Sequence, residues 1–98
     1  MFGLFGPNIE KGLREYRECE NGVLIDVRTE EEFQNGRIPG SINVPLDKLN
    51  RVKIPKGKLF IYCHSGGRSA QACNYLKRVG RDATNIGGIA SYKGEIER

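Results

Sequence analysis

The sequence predicts an α/β fold, with a mainly parallel central sheet and helices on both of its faces. Three observations carry this expectation. Two apolar runs, VLIDV (residues 23–27) and KLFIYC (58–63, apolar through its centre), lack the alternation of a half-wet strand and read as buried strands of a parallel sheet. Around them, apolar residues recur at helical spacing. Glycine, proline and Asn-Gly breaks separate the two kinds of segment. Strands alternating with helices imply a parallel sheet, and right-handed crossovers put helices on both sides of it, in three layers.

The elements follow in order. Residues 8–19 place Ile9, Leu13 and Tyr16 on one helical face, and Asn21-Gly22 ends that helix. The first strand is 23–27. Thr29 with Glu32 three residues later forms a capping-box pattern, so a short helix starts there and stops at Asn35-Gly36. IPGSINVPL reads as turn, short strand, turn, because Pro45 forbids a long central strand. Residues 46–51 make one or two helical turns, and Pro55 and Gly57 mark another turn. After the strand 58–63, Ala72, Cys73, Leu76 and Val79 share one face of a helix spanning 69–79, with Gly80 as its C′ residue. ATNIGG is a weak strand, and a last short helix covers 89–92.

The 98 residues are expected to form one domain, 1–98. Hydrophobic residues make up 38% and charged residues 29%, the balance of a soluble globular protein. The net charge of +4 is scattered, with its densest group at Lys53, Lys56 and Lys58. That pattern is a solvated surface that can collect small anions, and it argues against nucleic acid as a partner. No apolar stretch approaches the roughly 20 residues of a membrane span, so no membrane partner is expected. The opening MFGLFGPNIE lacks a basic stretch and a signal-length apolar core. Its Phe2, Leu4 and Phe5 are expected to pack on the domain. Three cysteines, Cys19, Cys63 and Cys73, without a secretion signal point to free thiols in a reducing, cytoplasmic compartment. No metal site is expected, since Cys63-His64 is the one Cys/His pair and neighbours in sequence chelate one ion poorly.

The chemistry concentrates in CHSGGRS, residues 63–69. A strand ends at Cys63, a glycine-bearing loop turns, and a helix starts near Ser69. Gly66 and Gly67 allow the loop N–H groups to converge on one point as an anion nest. The helix start adds its positive end, and Arg68 adds a fixed charge and a planar donor fork. A thiol over such a cradle should ionise below the ~8.5 of free cysteine. Cys63 is therefore the candidate nucleophile, at the carboxyl end of a parallel strand, where such sheets bind ligands. Tyrosine phosphatases place arginine six positions after their cysteine and often a histidine before it. Here Arg68 is five positions after Cys63, and Tyr62 precedes it. The shorter loop has a smaller mouth, which favours sulfur over a phosphoryl group.

With these motifs in view, the chain resembles the single-domain rhodanese sulfurtransferases over nearly its whole length. CHSGGRS is similar to the family's Cys-x-x-Gly-x-Arg-Ser. LIDVRTEEEFQNGRIPGSINVPL resembles its first motif, Asp-Val-Arg, Glu-Glu-Phe/Tyr and Gly-His-Ile-Pro-Gly-Ala. NIGGIASYKG resembles its closing segment. The resemblance implies a rhodanese-like three-layer α/β/α fold and a cycle in which Cys63 takes a sulfane sulfur, becomes a persulfide, and passes the sulfur to a thiophilic acceptor. It implies that His64, Ser65, Gly66, Gly67 and Arg68 frame the substrate pocket, with no cofactor. The implied partners are a small anionic sulfur donor such as thiosulfate, and cyanide, a thiol or a protein thiol as acceptor. The chain departs from the family at Arg37, where histidine is usual, and at Tyr92, near the usual tryptophan. Arg37 would make the pocket rim more cationic. Two alternatives stand beside this reading. One is a persulfide carrier or regulatory module serving a protein partner. The other is a phosphatase or arsenate reductase of similar fold.

Other residues are weighed against plainer roles. Asp26, Arg28 and Ser69 lie behind the loop. Asp26 and Arg28 either brace it or form a local ion pair, for example Arg28 with Glu32, and charges so near a core need partners. Cys73 lies on the apolar helix face as a small core residue rather than as a resolving thiol. Cys19 is incidental surface. His64 either faces the substrate at the pocket mouth or simply meets solvent.

Overall fold

The computed structural model describes residues 6–98, so the patch of Phe2, Leu4 and Phe5 lies outside the described residues. The elements are α1 (Ile9–Glu18), β1 (Gly22–Asp26), α2 (Glu30–Asn35), β2 (Ile42–Asn43), β3 (Lys58–Cys63), α3 (Gly67–Arg78) and β4 (Ala83–Gly88). Single 3-10 turns occupy Leu46–Lys48 and Ile89–Ser91. Asn8 caps α1 by accepting the Lys11 N–H at 3.1 Å. The capping box of α2 forms in both directions. Thr29 Oγ1 accepts the Glu32 N–H at 3.2 Å, and Glu32 Oε1 accepts the Thr29 N–H at 3.0 Å. The far end of α3 closes as a Schellman motif, in which the Gly80 and Arg81 N–H groups donate to the carbonyls of Lys77 and Leu76 at 3.0 and 2.8 Å.

All strands are parallel, in the order β2–β1–β3–β4. The two apolar runs of the sequence are the central pair, β1 and β3, as continuous burial requires. Alternate residues serve opposite faces. Leu24, Phe60, Tyr62 and Ile86 pack with Ile9 and Leu13 of α1. Ile25, Leu59, Ile61, Cys63 and Ala83 pack with Ala72, Cys73 and Leu76 of α3. The chain leaves β1 for β2 on one side and returns to β3 on the other. The topological switch point therefore lies between the carboxyl ends of β1 and β3, at Asp26 and Cys63. No helix among the described residues is long and apolar enough to cross a membrane.

One boundary differs from the expectation in a way that shapes the site. The sequence predicts α3 from Ser69, whereas the helix begins at Gly67. Gly66 takes a left-handed conformation (φ 103°), which turns the chain into the helix two residues early. Arg68 and Ser69 therefore sit on the first helical turn rather than in the loop.

Candidate active site

Cys63 ends β3 with its side chain on the α3 face of the sheet, and only 1% of the residue is exposed. The Gly66 N–H points at its sulfur at 3.0 Å, and the Ser69 hydroxyl oxygen lies 3.4 Å from it. Burial pushes the Cys63 thiol up. The Ser69 hydroxyl and the N–H groups of Ser69, Gly66 and Ser65 outweigh that, and hold it below the ordinary thiol value. The loop is fastened from outside as well. The Ala90 N–H donates to the His64 carbonyl at 3.0 Å, and a Cβ at Gly88 would overlap that same carbonyl. The glycine at position 88 is thus demanded by the close approach of the loop backbone to the end of β4. Of the predicted pocket residues, His64, Ser65 and Gly67 are exposed, and Gly66 and Arg68 are half-buried. The rate of iodoacetamide reaction at Cys63, followed by peptide mapping against pH, should show a midpoint below the ~8.5 of a free thiol. A midpoint at or above that value would remove the cradle's electrostatic effect.

Arg68 spends its donor fork on an acid that the sequence assigns elsewhere. Its two terminal nitrogens donate to Glu32 Oε1 and Oε2 at 2.7 and 3.1 Å. The Arg68 guanidinium holds the Glu32 carboxyl down to about 2. Glu32 in turn raises the Arg68 value further. The expected partner of Glu32, Arg28, lies on the sheet side instead. It grips Asp26 with Nε at 3.0 Å from both carboxylate oxygens and a terminal nitrogen at 2.7 Å from Oδ2. It also donates to the Gly36 carbonyl at 2.6 Å. Both residues are buried, Asp26 completely. The pair ties β1 to the end of α2, and its hydrogen bonds reach Gly36 and not the 63–69 loop. Arg37 adds no free cation to the rim. Its side chain lies over the Phe33 ring, pairs with Glu97 at 3.2 Å, and donates to the Phe33 carbonyl.

The Glu32–Arg68 pair gives a pH test. A carboxyl whose folded value is depressed adds stability above its unfolded value of ~4.3 and loses it as pH falls toward the folded value. The stability gap between wild type and Glu32→Gln should therefore be fully present at neutral pH and close as pH falls through about 2. Glutamine can still form the helix cap, so the comparison removes the carboxylate charge, whose largest interaction is with Arg68 and which Thr29 also favours. Both side chains are about a third exposed, at 36% and 34%, so added salt should shrink the gap. Thermal melts across pH and salt would measure it, and a gap that widened in acid would contradict the pairing.

Sequence reasoning missed Asn85 altogether. It projects from β4 to the loop. Its Nδ2 donates to the Gly66 carbonyl at 3.2 Å, and its Oδ1 accepts the Ser69 hydroxyl at 2.7 Å and the Gly87 N–H at 3.0 Å. The available signal was an amide side chain inside a short strand whose other residues are Ala, Thr, Ile and Gly. Tyr62, on the opposite face from Cys63, is also structural. Its hydroxyl accepts the Ile38 N–H at 3.1 Å and lies 3.0 Å from Ser41 Oγ, and burial pushes it up to about 12. Cys73 is buried in the core beside Leu76, where burial pushes its thiol up to about 11. Cys19 is half-buried, with its sulfur 3.2 Å from Asn21 Oδ1. Among the described residues no three His, Cys, Asp or Glu side chains converge as a metal site would.

Comparison with known proteins agrees with this geometry. The family described as the rhodanese-like domain matches residues 10–95. A protein named sulfurtransferase from Allochromatium vinosum is 38% identical over 80 residues, covering 76% of this chain and 75% of its own. The crystal structure of a rhodanese-like domain protein from Staphylococcus aureus superposes with a TM-score of 0.79 at 30% identity, covering 93% of this chain and 94% of that one. A human single-domain sulfurtransferase superposes with a TM-score of 0.76 at 26% identity, over 89% and 95% of the two chains. The fold, the cysteine loop and these relatives together show that this chain belongs to the rhodanese-like domain family, which includes sulfurtransferases.

Proposed function

We propose that the protein is a sulfurtransferase that carries sulfane sulfur on Cys63 as a persulfide. The observation that carries this reading is the Cys63 sulfur at the end of β3, ringed by N–H and O–H donors that favour its thiolate. The thiolate attacks the outer sulfur of a donor such as thiosulfate. The donor's S–S bond breaks, sulfite leaves with the bonding pair, and the negative charge moves to the terminal sulfur of Cys63–S–S⁻. A weakly basic leaving group such as sulfite speeds this step. The acceptor, cyanide or a thiolate, then attacks that terminal sulfur. It departs as thiocyanate or as an acceptor persulfide, and the Cys63 thiolate returns. No general base is needed once Cys63 is ionised.

The other residues take supporting parts. The loop N–H groups that favour the thiolate also favour the persulfide anion that replaces it. His64, Ser65, Gly66 and Gly67 form the rim against which the donor rests, and Arg68 supplies charge that Glu32 partly offsets. The 1% exposure of Cys63 suits a slender sulfur donor or a persulfide tip better than an aryl phosphate. Free thiols at Cys19, Cys63 and Cys73 suit a reducing compartment, and we place the activity in the cytoplasm.

Intact-protein mass spectrometry after incubation with thiosulfate tests the reading. The expected result is a gain of one sulfur mass, mapped to Cys63 and removed by cyanide with release of thiocyanate. A stable adduct that no small acceptor discharges would point instead to a carrier for a protein partner. Turnover of an aryl phosphate or arsenate through Cys63, without a sulfur adduct, would overturn the proposal.

A further inference from the structure

The Ser69 hydroxyl has one proton and three acceptors around it. Asn85 Oδ1 lies at 2.7 Å, Cys63 Sγ at 3.4 Å and the Gly87 carbonyl at 3.5 Å. Ser69 is completely buried, so water does not supply a further partner. The orientation of the Asn85 amide is fixed by its other contacts. Oδ1 must face the Gly87 N–H, and Nδ2 must face the Gly66 carbonyl. A flipped amide would set donor against donor and acceptor against acceptor. Asn85 therefore presents an acceptor to Ser69, at the shortest of the three distances.

We propose that Asn85 is a positioning residue of the active loop, whose side-chain carbonyl competes with the Cys63 sulfur for the single Ser69 proton and so sets how much of Cys63 stands as thiolate. In the resting thiol the Ser69 hydroxyl donates to Asn85 Oδ1. When Cys63 ionises, the hydroxyl turns toward the sulfur and gives up the shorter bond, and that exchange opposes ionisation. The other charged or titratable groups about the loop are Arg68 with its partner Glu32, the Asp26–Arg28 pair on β1, exposed His64, and the buried Cys73 thiol one turn along α3 from Ser69. From β4, the element that carries Asn85, there are none. The inference rests on Cys63 being the reactive thiol. Its readout is alkylation rather than sulfur transfer, so it stands or falls apart from the proposed activity.

The test is the pH profile of iodoacetamide reaction at Cys63 in four proteins: wild type, Asn85→Ala, Ser69→Ala and the double variant. Asn85→Ala should lower the midpoint by about half a pH unit, because the Ser69 hydroxyl is then free to donate its hydrogen bond to the thiolate. Ser69→Ala should raise it. On the Ser69→Ala background, Asn85→Ala should no longer lower it. A role confined to holding the loop predicts the opposite sign, and the same shift on both backgrounds. A midpoint that rises or stays unchanged in Asn85→Ala, or that falls equally on both backgrounds, would overturn the proposal. A second readout uses the unaltered fold. The Asn85 side-chain carbonyl resonance should titrate with the Cys63 midpoint in wild type and lose most of that shift in Ser69→Ala. A flat wild-type resonance would also overturn the proposal.

Discussion

Cys63→Ser is expected to lower sulfur transfer from thiosulfate to cyanide by at least about a thousandfold, with no sulfur adduct in the mass spectrum. The reason is chemical rather than structural. A serine hydroxyl in the same cradle stays protonated near neutral pH, and oxygen does not take up sulfane sulfur as a thiolate does. The replacement is nearly isosteric. The Gly66 N–H and the Ser69 hydroxyl can still meet an oxygen at this position, so the loop should keep its form. The melting temperature should therefore move by only a few degrees. That pairing separates the loss of a nucleophile from the loss of a fold. Continuous thiocyanate production and a thermal melt on the same preparation decide it. A variant that kept a tenth of wild-type turnover would place the reacting sulfur elsewhere.

What could be read from the sequence was local. The strands β1 and β3 were legible because burial on both faces leaves an unbroken apolar run. The Thr29–Glu32 cap was legible because both partners lie within one turn. The Cys63 loop was legible because strand end, glycines, arginine and helix are consecutive. The pairings made across the fold were not. Arg68 meets Glu32 from 36 positions away, and Asn85 meets Ser69 from 16. Spacing along the chain carries no signal for either. The Arg28–Glu32 pair failed for a different reason. An i,i+4 pair needs both residues on the helix, and Arg28 stands before the cap at Thr29. Its side chain turns back along β1 to Asp26 instead. The early start of α3 was hidden because glycine is a weak helix former, so Gly67 read as loop. A left-handed Gly66 is what allowed the helix to begin there.

The Asp26–Arg28 pair carries the largest expected effect on stability. Asp26 is fully buried, and Arg28 satisfies its carboxylate through the guanidinium and through its own N–H at 2.8 Å. Arg28→Met would leave a carboxylate in the interior without its counter-charge, and would free the Gly36 carbonyl that Arg28 also holds. Breaking a buried pair in this way costs about 3–5 kcal/mol, a large part of the ~5–15 kcal/mol that holds a domain folded. Urea unfolding should report that loss. Replacing both partners, as Asp26→Leu with Arg28→Met, removes the stranded charge and should recover much of it. The double variant also decides what the pair is for. Its hydrogen bonds run to Gly36 and within β1, not to the 63–69 loop. Below its melting range the double variant should therefore form the Cys63 persulfide at close to the wild-type rate. If it stayed folded but lost persulfide formation, Asp26 and Arg28 would be bracing the active loop after all. If the single variant lost less than about 1 kcal/mol, the carboxylate would be finding another partner inside the domain.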